Sequence, residues 1–85
     1  MNSKHHKTLT LIFKQPVPAS LAWIDVENLL CALGAEMSEG AGSRLAFDLN
    51  EITLVVHRPH PRKEVDRGAV KSIRRFLETA GVKLT

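Results

Sequence analysis

The stretch GSRLAFDLNEITLVVH, residues 42–57, decides the fold of this chain. Apolar and polar side chains alternate on either side of Asn50 and Glu51, which is typical of two half-buried strands joined by a tight turn. With the turn at these two residues, the numbers of paired residues sum to 101, so Arg44 lies opposite His57 on the face away from the core. A three-residue loop would shift the register by one and separate them. The stretch therefore predicts an antiparallel hairpin that brings a basic side chain and an imidazole together.

Helices are predicted on both sides of this hairpin. The spacing of apolar residues predicts a helix over 22–33, which Gly34 ends, and a last helix over about 66–80. A short helix is expected over 4–13, and a third strand over 35–38 precedes the hairpin. Runs of strands between helices predict an α+β fold, in the order α-α-β-β-β-α, with the helices packed on one face of a three-stranded antiparallel sheet.

The composition limits the class of protein. An 85-residue chain is expected to form one domain around one core. Cys31 is the single cysteine, which excludes an intramolecular disulfide and a Cys-based zinc site and fits a reducing cytoplasm. The apolar patch over 9–13 is too short for a signal sequence or a membrane span. We therefore expect a cytoplasmic protein with no membrane partner.

Positive charge is concentrated in the segment 58–75. Seven Lys and Arg residues stand there against Glu64 and Asp66, a net charge of +5 in a chain whose total is +3. Positive charge beside His57 and His60 suits a protein that binds a polyanion and moves protons on it. RNA is the first substrate to consider, and an ordinary solvated helix face is the alternative.

An ordered set of short motifs extends from residue 25 to residue 82. It comprises Asp25-Val26, Leu29-Leu30, Gly34, Gly42-Ser43, His60-Pro61-Arg62-Lys63-Glu64-Val65, Gly68, Val70-Lys71-Ser72-Ile73 and Ala80-Gly81-Val82. This set resembles the HicA family of toxin–antitoxin systems, which are small RNA-cleaving toxins (mRNA interferases) with a double-stranded-RNA-binding-domain-like fold. The resemblance covers about residues 24–82.

The resemblance implies a function and a division of the chain. It implies a type II toxin that cleaves mRNA without a metal, inhibits translation and growth, and is neutralised by a HicB-like antitoxin. The domain that carries this function is expected over 22–85, after an N-terminal extension over 1–21 that contains the short helix. No cofactor is expected.

One position departs from the family pattern. The family has a histidine assigned to catalysis after Gly-Ser, and this chain has Arg44. Metal-independent RNA cleavage needs a base for the 2′-hydroxyl, an acid for the leaving oxygen and positive charge near phosphorus. Histidine suits the proton steps, whereas arginine cannot readily give up a proton. We therefore expect His57 to take the proton role and Arg44 to stabilise the phosphate. The alternative is that His57 is a solvated histidine at a strand end.

Other candidate residues surround this pair. His60 either binds phosphate, orients the site or simply forms the turn between two prolines. His57 and His60 span a strand end and a loop, so helical metal-ligand spacing does not apply, and no metal site is expected. The residues expected to bind RNA are Ser43, Arg58, Arg62, Lys63, Arg67, Lys71 and Arg74.

Two other functions remain open from the sequence. Arg44 in place of the family histidine is also consistent with a non-catalytic RNA-binding module. A domain that binds only an acidic protein would carry the same basic segment, but its RNA affinity would lack the strong salt dependence of phosphate contacts.

Overall fold

The computed structural model describes residues 2–59 and 62–84. Its elements, in chain order, are α1 (Ser3–Phe13), β1 (Leu21–Ala22), α2 (Trp23–Ala32), β2 (Glu36–Glu39), β3 (Arg44–Leu49), β4 (Ile52–His57), β5 (Glu64–Val65) and α3 (Arg67–Thr79). β2, β3 and β4 form an antiparallel sheet in that order, and β1 pairs with β5. The predicted α+β class and three-stranded sheet are confirmed, in an arrangement compatible with the fold that the resemblance implies. The β1–β5 pair was not predicted, because strands of two residues show no alternation.

β3 and β4 pair in the predicted register. Arg44 lies opposite His57, and the two turn residues, Asn50 and Glu51, have φ values of 50° and 68°. Positive φ at both positions is typical of the type I′ turn, whose twist matches that of the flanking strands. The Asn50 side chain also donates a hydrogen bond to the carbonyl oxygen of Ala80 at 2.7 Å. The turn is therefore attached to the end of α3.

The helices cover one face of the three-stranded sheet. Leu45, Phe47 and Leu54 are buried on that face, and the adjoining apolar side chains of α2 and α3 are Val26, Leu29, Leu30, Val70, Ile73, Phe76 and Leu77. On the other face, Thr53 and Val55 are exposed. The period of two along each strand thus separates a hydrophobic core from an open surface.

The ends of α2 and α3 lie close to their predicted positions. α2 ends at Ala32, and Gly34 follows with a φ of 97°, a conformation that glycine adopts without strain. Asp66 caps α3, since its side chain accepts a hydrogen bond from the backbone N–H of Ala69 at 2.8 Å. β2 begins one residue later than predicted, at Glu36.

α1 packs into the same core as the rest of the chain. Leu9 and Ile12 are buried, and Arg74 of α3 donates hydrogen bonds to the carbonyl oxygens of Ile12 and Lys14, each at 2.8 Å. These bonds satisfy carbonyls that the end of a helix leaves open. The expected N-terminal extension, up to residue 21, and the expected domain that follows it therefore share one hydrophobic core. Within residues 2–59 and 62–84, no helix has the length and apolar character of a membrane span.

Candidate active site

Arg44 and His57 form a close cross-strand pair on the open face of the sheet. The backbone N–H of Arg58 donates to the carbonyl oxygen of Ser43 at 2.8 Å, so Ser43 and Arg58 are a hydrogen-bonded pair. Such pairs alternate with non-hydrogen-bonded pairs, in which the Cα atoms lie only about 4.5 Å apart. Arg44 and His57 are the next pair along the strands, and both are exposed. The predicted pairing of Arg44 with His57 on the open face of the sheet is therefore present.

Ser43 contacts the imidazole of His57. Its Oγ lies 3.4 Å from Nδ1 of the ring, across the end of the hairpin. This contact restrains the orientation of the ring through one nitrogen, and Nε2 is the nitrogen that Ser43 does not engage. Ser43 was predicted as an RNA contact, and the structure places it beside the candidate base.

The aliphatic part of the Arg44 side chain lies over Gly40. A Cβ atom at Gly40 would stand 3.3 Å from Cδ of Arg44, closer than an ordinary van der Waals contact. Gly40 also donates its backbone N–H to the carbonyl oxygen of Arg44 at 2.9 Å. The absence of a side chain at Gly40 therefore makes room for the aliphatic part of Arg44.

Arg58 is held by a carboxylate of α2. Its Nη2 lies 3.6 Å from Oε1 of Glu27, and the indole N–H of Trp23 donates to the same oxygen at 3.0 Å. The side chain of Arg58 remains 43 % exposed, so it can still contact a ligand. Glu27 was missed in the sequence. The spacing of four residues from Trp23 could have indicated the helical contact, but no sequence signal connects Glu27 with Arg58.

A cleft of about 350 Å³ opens beside His57. It lies where the end of β4, β5 and the first turn of α3 meet, and its walls include Trp23, His57, Pro59, Glu64, Val65 and Asp66. Ala69 lines the same cleft, so the N-terminal turn of α3 lies close to His57. The free backbone N–H groups of a helix start provide a positive potential there.

Besides Ser43 and Arg58, four more of the predicted RNA contacts are exposed. They are Arg62, Lys63, Arg67 and Lys71. Arg62 and Arg67 line a second cleft of about 510 Å³, which shares Glu64 among its walls with the cleft beside His57. The structure therefore places Arg62 and Arg67 at a cleft that adjoins the cleft beside His57.

Two arginines of α3 differ from the prediction. Arg74, predicted to bind RNA, is half-buried and donates two hydrogen bonds to the end of α1. Arg75 is exposed and continues the four-residue spacing of Arg67 and Lys71, so the same spacing could have indicated it as a candidate RNA contact. His60 lies outside the described residues.

The described residues include no candidate metal centre. No group of three or more His, Cys, Asp or Glu side chains in this part of the chain is arranged to hold a metal ion. Proton chemistry and phosphate binding are what these side chains can perform by themselves.

A family model described as the HicA toxin of bacterial toxin–antitoxin matches residues 23–82. The chain belongs to the HicA toxin family. The resemblance inferred from the short motifs is thereby confirmed, and the chain is a toxin of a toxin–antitoxin system. The HicA match begins with α2 and includes α3, the whole three-stranded sheet and the cleft beside His57. No curated protein and no solved structure matches the chain.

Proposed function

We propose that this HicA toxin is a metal-independent endoribonuclease that cleaves mRNA in the cytoplasm and thereby inhibits translation and growth. A HicB-like antitoxin neutralises it. The observation that supports this proposal best is the non-hydrogen-bonded pair of Arg44 and His57 on the open face of the sheet. These paired residues carry an imidazole that can move a proton and a guanidinium that can bind phosphate oxygens.

The reaction uses this pair in one displacement at phosphorus. His57 accepts the proton of a ribose 2′-hydroxyl, and the 2′-oxygen attacks the adjacent phosphorus. The bond from phosphorus to the 5′-oxygen breaks, the 5′-oxygen takes up a proton from water, and a 2′,3′-cyclic phosphate remains. Proton transfer by a positioned side chain contributes roughly 10²–10⁴-fold to such a rate.

Arg44 carries the electrostatic part of the reaction. Its planar guanidinium binds two phosphate oxygens at once and stabilises the charge that collects on them in the transition state. An arginine side chain does not readily give up a proton, so Arg44 cannot take the proton role of the histidine that the family has at this position. The proton role therefore moves to the neighbouring strand, where Ser43 restrains the ring of His57.

Basic side chains beside the pair bind the RNA backbone. Arg62, Lys63, Arg67 and Lys71 are exposed around β5 and the start of α3. Contacts of this kind release counterions and give an affinity that falls steeply with salt. A HicB-like antitoxin with acidic groups would cover these cations and the catalytic pair together, which blocks access by charge complementarity.

RNA cleavage by the purified protein in EDTA tests this proposal. The variants are His57→Ala, Arg44→Ala and Val55→Ala; Val55 is the control because it is exposed on the same strand and has no titratable group. We expect cleavage by wild type and Val55→Ala, and a loss of roughly 10²-fold or more in His57→Ala. Cleavage by His57→Ala at the wild-type rate would exclude His57 as the base.

A second arm tests the relocation of the proton role. Arg44→His restores the family histidine, so in the His57→Ala background it should recover part of the lost cleavage. Recovery shows that either strand can present the imidazole to the same phosphate. No recovery, with the fold intact by circular dichroism, would argue against a shared catalytic position.

The second candidate function is RNA binding without cleavage. Arg44 in place of the family histidine favours it. Under this alternative the wild-type protein binds a transcript with a strong salt dependence and leaves it whole. Binding only to an acidic protein, with no affinity for RNA, would instead indicate an interaction domain.

A further inference from the structure

We propose that the cleft beside His57 binds the base next to the scissile phosphate and selects guanine. This inference rests on the proposed nuclease function, because it assigns the cleft to the same substrate. The cleft's volume of about 350 Å³ lies within the range of roughly 300–1,000 Å³ that is usual for small-molecule sites. Its position beside the candidate catalytic imidazole places any occupant next to the reacting phosphate.

The apolar walls of the cleft suit a flat ring. Trp23, Val56 and Val65 line it together with Pro59. Trp23 is only 7 % exposed, and its indole N–H is already bonded to Glu27, so its ring is a fixed part of the wall. A base that enters the cleft contacts apolar surface in place of water, which is favourable.

The charges in the cleft decide which part of RNA can enter it. Glu64 and Asp66 both line it, whereas the one cationic Arg or Lys among its described walls, Arg58, is paired with Glu27. The two carboxylates also offset the positive potential of the α3 start, so a phosphate is repelled there. Oδ1 of Asp66 accepts the bond from Ala69, which leaves Oδ2 as a further acceptor. Oε1 of Glu64 forms an ion pair with Nε of Arg62 at 4.0 Å, a separation too long for a hydrogen bond, so this oxygen can still accept one. The base is the neutral part of a nucleotide that offers several N–H donors, so the base enters and the phosphate stays outside.

Guanine matches these acceptors best. Its N1–H and N2–H groups are adjacent donors on one edge, and they can bind both oxygens of a single carboxylate. Uracil offers one donor between two acceptors, and the carboxylate repels both of those. Adenine and cytosine each offer an amino group beside a ring nitrogen that accepts. Glu64 is the better candidate of the two acidic residues, because its ion pair with Arg62 is too long for a hydrogen bond, whereas Oδ1 of Asp66 already accepts from Ala69.

Affinity for non-cleavable RNA tests the inference apart from catalysis. The probes are short 2′-O-methyl oligouridines with one central G, A, C or U, measured by fluorescence anisotropy. The test variant is Glu64→Gln with Asp66→Asn, in which the amide of Asn preserves the cap of α3. The control is Glu36→Gln with Asp48→Asn, which removes the same charge from an exposed cross-strand pair of β2 and β3.

We expect wild type and the control variant to bind the G probe about fivefold or more tightly than the U probe, as bidentate base contacts provide. The test variant should bind all four probes alike. Equal affinities in wild type would overturn the inference. So would a test variant that gains affinity for all four probes equally, because its carboxylates would then only repel the backbone.

The outcomes separate this inference from the proposed nuclease. Selectivity for the G probe without any cleavage of natural RNA refutes the nuclease and leaves the cleft as a base site. Cleavage that depends on His57, without selectivity for the G probe, overturns the base site alone. No binding of any probe overturns the base site, and the cleavage assay in EDTA then decides the nuclease separately.

Discussion

Replacement of Arg74 by methionine should destabilise the fold without weakening RNA binding. Arg74 was predicted to bind RNA, but its guanidinium donates to the carbonyl oxygens of Ile12 and Lys14 at 2.8 Å. Methionine retains most of the aliphatic chain and removes both bonds. A hydrogen bond from a charged group contributes roughly 1.5–3 kcal/mol, and a carbonyl that water can reach recovers much of this. Because Lys14 is exposed, we expect a total loss of about 2 kcal/mol in the free energy of unfolding.

Thermal denaturation measures this loss. For a domain of this size 1 kcal/mol corresponds to about 4–8 °C, so Arg74→Met should lower Tm by about 8–16 °C. Lys71→Met is the matched variant, because Lys71 is an exposed cation of the same helix. It should change the free energy of unfolding by about 0.5 kcal/mol at most.

RNA affinity as a function of salt completes the comparison. Lys71→Met should reduce the slope of log affinity against log salt by about one, because one phosphate contact is lost. Arg74→Met should leave that slope unchanged at a temperature where it is folded. The reasoning fails if Arg74→Met keeps the wild-type Tm and reduces the salt slope as Lys71→Met does.

Two further predictions concern the turns that connect β2, β3 and β4. Asn50→Ala should lower the free energy of unfolding, measured by urea denaturation, by roughly 2 kcal/mol. The variant loses the hydrogen bond to Ala80, and alanine, unlike asparagine, has no polar side chain to stabilise a φ of 50°. Asn50→Gly should cost about half as much, since it loses only the bond; equal costs would contradict a contribution from the backbone conformation. Gly40→Ala should leave Tm within a few degrees and lower RNA cleavage by roughly two- to tenfold, because the new methyl group displaces the chain of Arg44. Unchanged cleavage would show that the position of Arg44 does not matter for the reaction.

Local chemistry made much of the fold predictable. The alternation in residues 42–57 and the Asn50-Glu51 turn were enough to predict the pairing of Arg44 with His57, which the structure confirms. The helices were predictable because apolar spacing, Asp66 and Gly34 mark their faces and ends. The HicA match agrees with motifs that follow one another in the chain.

The partners of individual side chains were not predictable in this way. Arg74 and Arg75 are adjacent cations on one helix, and only the packing of α1 against α3 makes the first a structural residue and leaves the second exposed. The ion pair between Arg58 and Glu27 joins residues 31 positions apart, and no local pattern in the sequence indicates such a contact.

Sequence alone determined the class of fold, the register of the hairpin and the family, because periodicity, turn residues and motif order are local properties of the chain. Tertiary structure alone decided which cations face solvent and that a cleft with acidic residues opens beside His57. The physical reason is that Trp23 of α2, Ser43 before β3 and the segment from the end of β4 to the start of α3, which together line the cleft, are distant in sequence. Their side chains acquire a common surface only when the hydrophobic core brings these elements together.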